Sequence, residues 1–252
     1  MCRIISFSVD KGGVGKTTCV INTAARLAAL GKKVLAVDLD QQCNLTETLL
    51  TTPYERTLYD AFLTEGQGLP FYPLRDNLFV VPASHRMFAS EGLIRKAAAR
   101  RGINPFLVLG NLLEPLKEQF DFILLDTPPS DNIYMINSLY STHEVVLVVK
   151  PEPFCVAGAS NYVQMMKVAR NGNPKLRVAG ILFNDVDLYS VGHRKCIEAM
   201  KQAVKFNCVF DTVIRRSRYL YNASLSHQDI FSYAPGSNGA VDFEKFVNEL
   251  LK

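Results

Sequence analysis

The sequence contains no apolar run close to the ~20 residues that a membrane-spanning helix needs, and its apolar first segment, 1–9, has no cleavage site. No two cysteines form a CxxC pair, and no histidine stands at a metal-ligand spacing from them. We therefore predict no membrane span, no zinc site and no disulfide framework. The thiols predicted to be isolated and reduced are Cys2, Cys19, Cys43, Cys155, Cys196 and Cys208.

Neither sign of charge dominates, because 28 lysines and arginines face 24 acidic residues and leave a net charge of +4. So small an excess neither identifies nor excludes a nucleic-acid partner, and the local placement of the basic residues matters more. The sequence also lacks internal repeats, low-complexity tracts and a linker long enough to divide domains. We predict a single domain over residues 1–252.

Short apolar runs rich in β-branched residues alternate with segments of helical periodicity. Continuous apolar character is typical of strands buried on both faces of a parallel sheet. The predicted strands are 4–9, 34–37, 78–81, 122–125, 145–149 and 178–183. The predicted helices are 17–30, 90–101, 104–119, 157–170, 191–204 and 241–251, and 51–73 is predicted to be irregular. This order indicates an α/β fold, a doubly wound and mostly parallel sheet flanked by helices, with ligands at the carboxyl ends of the strands.

The first predicted strand runs into a glycine-rich turn over residues 10–18 that opens the first helix. In such a turn, backbone N–H groups converge on phosphate oxygens and the helix N-terminus adds a positive dipole. Lys16 is placed to reach the terminal phosphates and the Thr17 hydroxyl to bind Mg²⁺. The general phosphate-loop pattern has glycine at the position of Asp10, and here an additional lysine, Lys11, precedes the paired glycines.

The motif K-G-G-V-G-K-T-T over residues 11–18 resembles the deviant Walker A motif of the ParA/MinD family of ATPases, and the whole chain resembles short, Soj-like ParA partition proteins. The resemblance implies slow Mg²⁺-dependent ATP hydrolysis and an ATP-dependent homodimer in which Lys11 reaches the partner's phosphates. It makes Lys11 and Lys16 catalytic. The implied nucleotide-binding residues of the loop are Gly12, Gly13, Val14, Gly15, Lys16, Thr17 and Thr18.

Acidic residues end two of the predicted strands. Asp38 and Asp40 stand two positions apart, so their side chains point to the same side of a strand, and the segment resembles the family's switch I motif D-x-D-P-Q with Gln41 in place of proline. By the resemblance, Asp38 belongs to the Mg²⁺ network and Asp40 positions the attacking water. Asp126 ends an apolar strand, as the Mg²⁺-binding acid of a Walker B motif does, and precedes a proline-rich switch II segment.

Three later parts of the sequence also match the family. Lys150 to Phe154 resembles its proline-rich turn, and Asn184 matches the position that recognises adenine, for which an amide both donates and accepts. Residues 212–224 resemble the segment whose arginines bind DNA without sequence preference, and guanidinium groups suit phosphate backbones. The candidate DNA-binding residues are Arg215, Arg216 and Arg218, with Arg215 in place of the family's proline; Lys195, Lys201 and Lys205 could extend the patch. A second basic run, 95–101, is explained equally well as the wet face of a helix.

The resemblance implies non-specific double-stranded DNA and a ParB-like centromere-binding protein as partners, no membrane, and a cytoplasmic, nucleoid-associated location. A MinD-like membrane-cycling ATPase is the first alternative, but its C-terminal helix should be basic and 241–252 carries three acids against two lysines. A ParA-like ATPase that positions a protein cargo is also compatible. A cluster-carrying ATPase of the nitrogenase iron-protein or Mrp kind needs paired cysteines that this sequence does not have. A cobyrinate-type amidating synthetase is disfavoured because the sequence shows no amidase extension.

Overall fold

The computed structural model describes residues 2–9, 11–64, 66–153, 155–204 and 208–252. Its seven strands are β1 (Arg3–Ser8), β2 (Val34–Asp38), β3 (Tyr72–Arg75), β4 (Leu78–Val81), β5 (Phe122–Asp126), β6 (Glu144–Val149) and β7 (Arg177–Phe183). They form one sheet in the order β3-β4-β2-β5-β1-β6-β7, in which β3 alone is antiparallel to its neighbour. The predicted doubly wound, mostly parallel sheet is confirmed, and Asp10, Phe154 and Lys205 lie outside the described residues.

Helices cover both faces of the sheet. They are α1 (Lys16–Ala29), α2 (Asn44–Leu49), α3 (Leu58–Leu63), α4 (Glu91–Arg100), α5 (Val108–Leu113), α6 (Ile133–Ser141), α7 (Cys155–Ala169), α8 (Val191–Ala203), α9 (Arg218–Leu225), α10 (Ile230–Tyr233) and α11 (Asn238–Leu250). Two 3₁₀ turns, His85–Met87 and Glu114–Leu116, complete the described elements. No described helix is both long enough and apolar enough to cross a membrane.

Alternate strand residues enter different cores, which is why the central strands are largely apolar. Phe7 packs with α1 and α11, whereas Ile4 packs with the helices of the opposite face, α3 to α6. Successive side chains of a strand point to opposite sides, so a strand buried on both sides needs apolar residues at every position. A third cluster, built around Tyr162 and Met166, joins α7 and α8 to β6 and β7.

Three local predictions were wrong. The helix predicted over 104–119 is only α5 followed by a 3₁₀ turn, because the Asn104 side chain caps the Phe106 N–H in a turn and Pro115 cannot donate a helical hydrogen bond. The region predicted to be irregular, 51–73, contains α3, whose start is capped by Thr57 and Asp60. Cys155 and Cys196, predicted to be isolated thiols, instead lie next to each other between α7 and α8, with their Cα atoms 7.4 Å apart.

The segment 208–216 lies parallel to β7 and extends the sheet beyond its last named strand. The Ile181 N–H donates to the Cys208 carbonyl at 2.6 Å, and the Arg216 N–H donates to the Val186 carbonyl at 2.8 Å. Two isolated bridges, Ile181 with Val209 and Val186 with Arg215, mark the same pairing. This pairing carries Arg215 and Arg216 to the carboxyl end of the sheet.

Candidate nucleotide site

The turn between β1 and α1 has the backbone of a phosphate loop. Gly13 and Gly15 have φ values of 71° and 92°, a left-handed conformation that side chains other than glycine rarely adopt. Gly15 is the N-cap of α1 and no side chain caps the helix, so the first-turn N–H groups face the loop. The predicted loop residues 12–18 all line one cleft of about 470 Å³, together with Asp40 and Ser224. A helix N-terminus with this opening is suited to an anion.

Lys16 lies inside this loop rather than in solvent. Only 6% of it is exposed, and its Nζ donates to the Lys11 carbonyl at 3.1 Å and to the Val9 carbonyl at 3.4 Å. The loop thus holds the ammonium group at the cleft, where it can bind a phosphate.

Asp38 and Asp126 lie side by side at the ends of β2 and β5, in direct register. Asp126 is almost fully buried, and neither of its carboxylate oxygens accepts a hydrogen bond of normal geometry from a described residue. Burial, and then the charge of Asp38, raises the pKa of Asp126 well above its ordinary value, although the nearby Thr17 hydroxyl and Lys16 oppose this shift. A buried acid without donors is costly, and oxygen-binding cations such as Mg²⁺ fit this donor set.

Asp38 differs from Asp126 because its oxygens are hydrogen-bonded. Oδ1 accepts from the Asp40 N–H at 3.0 Å, and Oδ2 accepts from the N–H and the hydroxyl of Thr46 at 2.9 and 2.6 Å. Burial nevertheless raises the pKa of Asp38 to about 6, partly offset by these donors. Burial also raises the pKa of Asp40, while the Gln42 N–H and Lys16 favour its charged form.

Lys11 and Asn184 are placed differently from the loop residues around them. Lys11 is more than half exposed and forms an ion pair with Glu152, beyond the end of β6. Asn184 is buried at the end of β7 and donates from Nδ2 to the Val14 carbonyl at 2.7 Å, so it supports the phosphate loop. A Cβ on Gly15 would lie 2.1 Å from that Nδ2 atom, which leaves room only for glycine. Adenine recognition by Asn184 remains a prediction.

The three candidate DNA-binding arginines have different surroundings. Arg215 forms an ion pair with the buried Asp242 of α11, with Nε and Nη2 within 3.0 Å of its oxygens. Arg216 is 60% exposed and contacts Asp185 at 3.0 Å. Arg218 stacks on the Tyr219 ring, 5.2 Å from its centroid. Arg216 and Arg218 present their charge to solvent, whereas Arg215 holds the segment against α11.

Sequence reasoning assigned no role to Thr46, Glu152 or Asp185. Thr46 lies eight positions after Asp38, and its contact with Asp38 depends on the fold of α2. Glu152 and Asp185 pair with Lys11 and Arg216 across 141 and 31 positions, distances at which no sequence periodicity operates.

A parallel sheet with a glycine-rich loop between β1 and α1, and acids at the ends of β2 and β5, defines the class of P-loop nucleotide-binding proteins. Residues 2–178 match the family model described as an AAA domain. The chain is 33% identical over 258 residues to the chromosome-partitioning ATPase Soj of Treponema pallidum, covering 100% of this chain and 98% of that protein. The chain therefore belongs to the Soj-like ATPases of the ParA/MinD family.

Solved structures share the whole architecture. The septum site-determining protein MinD of Pyrococcus horikoshii, complexed with Mg-ADP, is 27% identical with a TM-score of 0.80, covering 100% of this chain and 97% of that one. Cobyrinic acid a,c-diamide synthase of Mycobacterium smegmatis, with bound ADP and magnesium, is 25% identical with a TM-score of 0.82, covering 100% and 94%.

Proposed function

We propose that the chain is a single ATPase domain over residues 1–252 that binds Mg-ATP in the cleft at the β1–α1 loop. The observation that carries this proposal is the buried Asp126, whose oxygens accept no hydrogen bond of normal geometry within the described part of the chain, beside the Lys16 and Thr17 cradle. Two structural neighbours hold Mg-ADP or ADP and magnesium, which supports the same ligands here. The nucleotide would be bound by Gly12, Gly13, Val14, Gly15, Lys16, Thr17 and Thr18, with Asn184 on its adenine or supporting the loop.

In this proposal, each residue of the site has its own role in phosphoryl transfer. ATP supplies the transferred group, and Mg²⁺ neutralises its charge. Thr17 and Asp126 would hold the metal, with Asp38 in the surrounding network, and Asp40 would position the attacking water. Lys11 leaves its ion pair with Glu152 to reach the phosphates of a second copy, which makes hydrolysis depend on an ATP-bound homodimer.

We further propose that the ATP-bound dimer binds double-stranded DNA without sequence preference and partitions or positions it. Arg216 and Arg218 would contact the phosphates, and Arg215 would fix their segment through Asp242. A relative described as a chromosome-partitioning ATPase supports this role in moving DNA. A ParB-like partner would stimulate slow hydrolysis, and the protein would lie in the cytoplasm on the nucleoid.

The membrane-cycling alternative is less well supported. It requires a free amphipathic C-terminal helix, whereas Phe243, Phe246 and Val247 of α11 are fully buried against the sheet and α1. Positioning of a protein cargo remains an outcome of the test below, because it predicts an intact ATPase without DNA affinity. Amide synthesis of the cobyrinate type also predicts no DNA affinity and is a further outcome of the same test.

The test is binding to a random-sequence duplex with ADP and with ATP over a series of salt concentrations. We expect tight, salt-sensitive binding only with ATP. Arg216→Glu should weaken it and lower the slope of log K against log salt by about 2, because each dimer loses two phosphate contacts.

Lys32→Glu is the matched control, since it makes the same charge change at an exposed residue just before β2, at the end of the sheet opposite Arg216. Equal losses in both variants would show that net charge, rather than the Arg216 segment, governs binding. Absence of binding by the wild type in every nucleotide state would refute DNA binding but would not affect the proposed ATPase activity. Liposomes and protein partners would then be tested next.

A further inference from the structure

Thr46, in the first turn of α2, is fully buried and touches the switch I carboxylate twice. Its N–H donates to Asp38 Oδ2 at 2.9 Å, and its hydroxyl donates to the same oxygen at 2.6 Å. The second contact is short, as hydrogen bonds to a carboxylate are. One residue of α2 therefore fixes the position of Asp38 at the end of β2.

The hydroxyl of Thr46 also accepts a hydrogen bond, from the N–H of Ala83 at 2.9 Å. An N–H group can only donate, so the single hydroxyl proton of Thr46 must point to Asp38. The direction of both hydrogen bonds, from Ala83 to Thr46 and from Thr46 to Asp38, is therefore set. Ala83 is buried and lies two residues beyond the end of β4, which pairs with β2. Thr46 thus connects the β4 end to the acid at the β2 end.

Asp38 in turn fixes the backbone of Asp40, the catalytic candidate two residues later. Its other oxygen, Oδ1, accepts from the Asp40 N–H at 3.0 Å, so the backbone of Asp40 is held by Asp38. Asp126, next to it in the sheet, accepts no hydrogen bond of normal geometry from a described residue. The two neighbouring acids therefore differ: Asp38 accepts three well-formed hydrogen bonds, whereas only the Thr17 hydroxyl and Lys16 favour the charged form of Asp126.

We propose that Thr46 is a positioning residue for ATP hydrolysis, which fixes Asp38 and, through it, the backbone that carries Asp40. This inference rests on the proposed nucleotide site. Thr46 does not line the cleft, so its loss should slow the chemical step while leaving nucleotide binding nearly intact.

The test compares Thr46→Val, which keeps the shape and removes the hydroxyl, with Thr46→Ser, which keeps the hydroxyl. At saturating Mg²⁺ we expect Thr46→Val to lower kcat by about 10- to 100-fold, the range for residues that orient a metal or catalytic ligand. The dissociation constant for ADP should change by less than about threefold, since the loop is untouched, and Thr46→Ser should restore most of kcat.

Thr142→Val is the matched control, because Thr142 is also fully buried and its hydroxyl donates to the Ile4 and Glu144 carbonyls at the opposite end of the sheet. It should lose stability as Thr46→Val does, yet keep kcat. A kcat within about threefold of wild type in Thr46→Val, failure of serine to rescue, or an equal loss in Thr142→Val would each overturn the inference.

Amide hydrogen exchange of the nucleotide-free protein gives an independent readout. In Thr46→Val the Asp40 and Ala83 amides should exchange faster than in wild type, while amides near residue 142 should not. Unchanged exchange at Asp40 would overturn the role of Thr46 even if the wild type did not hydrolyse ATP. Failure of the wild type to bind nucleotide would instead count against the proposed function.

Discussion

At the scale of single residues, the most informative group is Asp126, a buried carboxylate whose oxygens accept no hydrogen bond of normal geometry from the described residues. Its raised pKa, caused first by burial and then by Asp38, means that ionising it in the folded protein costs free energy. Sequence reasoning identified Asp126 as a metal candidate from its place at a strand end. It could not show that Asp38, unlike Asp126, accepts three well-formed hydrogen bonds, because two of them depend on how α2 folds.

Asp126→Asn should therefore stabilise the nucleotide-free protein while abolishing Mg²⁺-dependent hydrolysis. Because a raised pKa lowers stability as pH rises above the unfolded value, the gain should be largest at neutral pH and vanish in acid. We expect about 1–3 kcal/mol, or roughly 2–4 °C in Tm per kcal/mol, in thermal unfolding at pH 7.5 without Mg²⁺. Asp211→Asn, on an exposed side chain, is the control and should change nothing; a lower Tm for Asp126→Asn would contradict the argument.

Contacts between residues distant in the sequence were the least predictable. Arg215 and its partner Asp242 are 27 positions apart, and Cys155 and Cys196 are 41 apart. Neither pair belongs to a motif or shares a helical or strand period. The three arginines were therefore predicted together as one basic surface, although one of them, Arg215, forms an ion pair with the buried Asp242.

At the scale of elements, strands were predictable because burial on both faces makes them continuously apolar. The strand at 78–81 was predicted to the residue, and α1 begins one position from its predicted start. Short helices whose starts depend on capping side chains were missed: Asn132 caps α6 and Asp229 caps α10. A single capping residue is a weaker signal than a run of apolar residues.

The contact between the α1 N-terminus and the β7 end predicts a coupled pair. Gly15→Ala should reduce ADP affinity and stability, both through its positive φ and by displacing Asn184. In an Asn184→Ala background the second cost disappears, so a double-mutant cycle on unfolding free energy should give a coupling of about 0.5–3 kcal/mol.

Gly13→Ala is the control for this cycle. Gly13 also has a positive φ, but an added Cβ would have no atom within 4 Å. It should therefore show the backbone cost without coupling to Asn184. Similar coupling energies for both glycines would mean that the observed contact is not responsible.

At the scale of the whole molecule, Glu144 ties the first strand to the last two. Its buried carboxylate accepts hydrogen bonds from Arg3 of β1 and from Arg177 of β7. Burial alone would raise its pKa, but the hydrogen bonds and charges of Arg3 and Arg177 outweigh it and lower the pKa. The ionised form therefore adds stability that is present above the unfolded pKa and lost as pH falls through the folded one.

Glu144→Gln should lower the unfolding free energy by about 1–3 kcal/mol in urea titrations at pH 7. The difference from wild type should shrink as pH falls below 4.5, the ordinary value for this group. Glu244→Gln is the control, because its ion pair with Arg26 is more exposed and should contribute less than about 1 kcal/mol. A difference that stays constant until acid unfolding would contradict the role of the charge.

The segment 208–216 beside β7 has a consequence for how copies of this chain can associate. It occupies the hydrogen-bonding groups along that edge of the sheet, and the opposite edge is the four-residue β3, with a proline and a register shift. Such blunted edges resist the addition of a strand from another molecule. In the proposed homodimer, two copies should therefore meet through side chains and loops rather than through a continuous intermolecular sheet. An assembly of that kind can separate again without breaking a strand ladder.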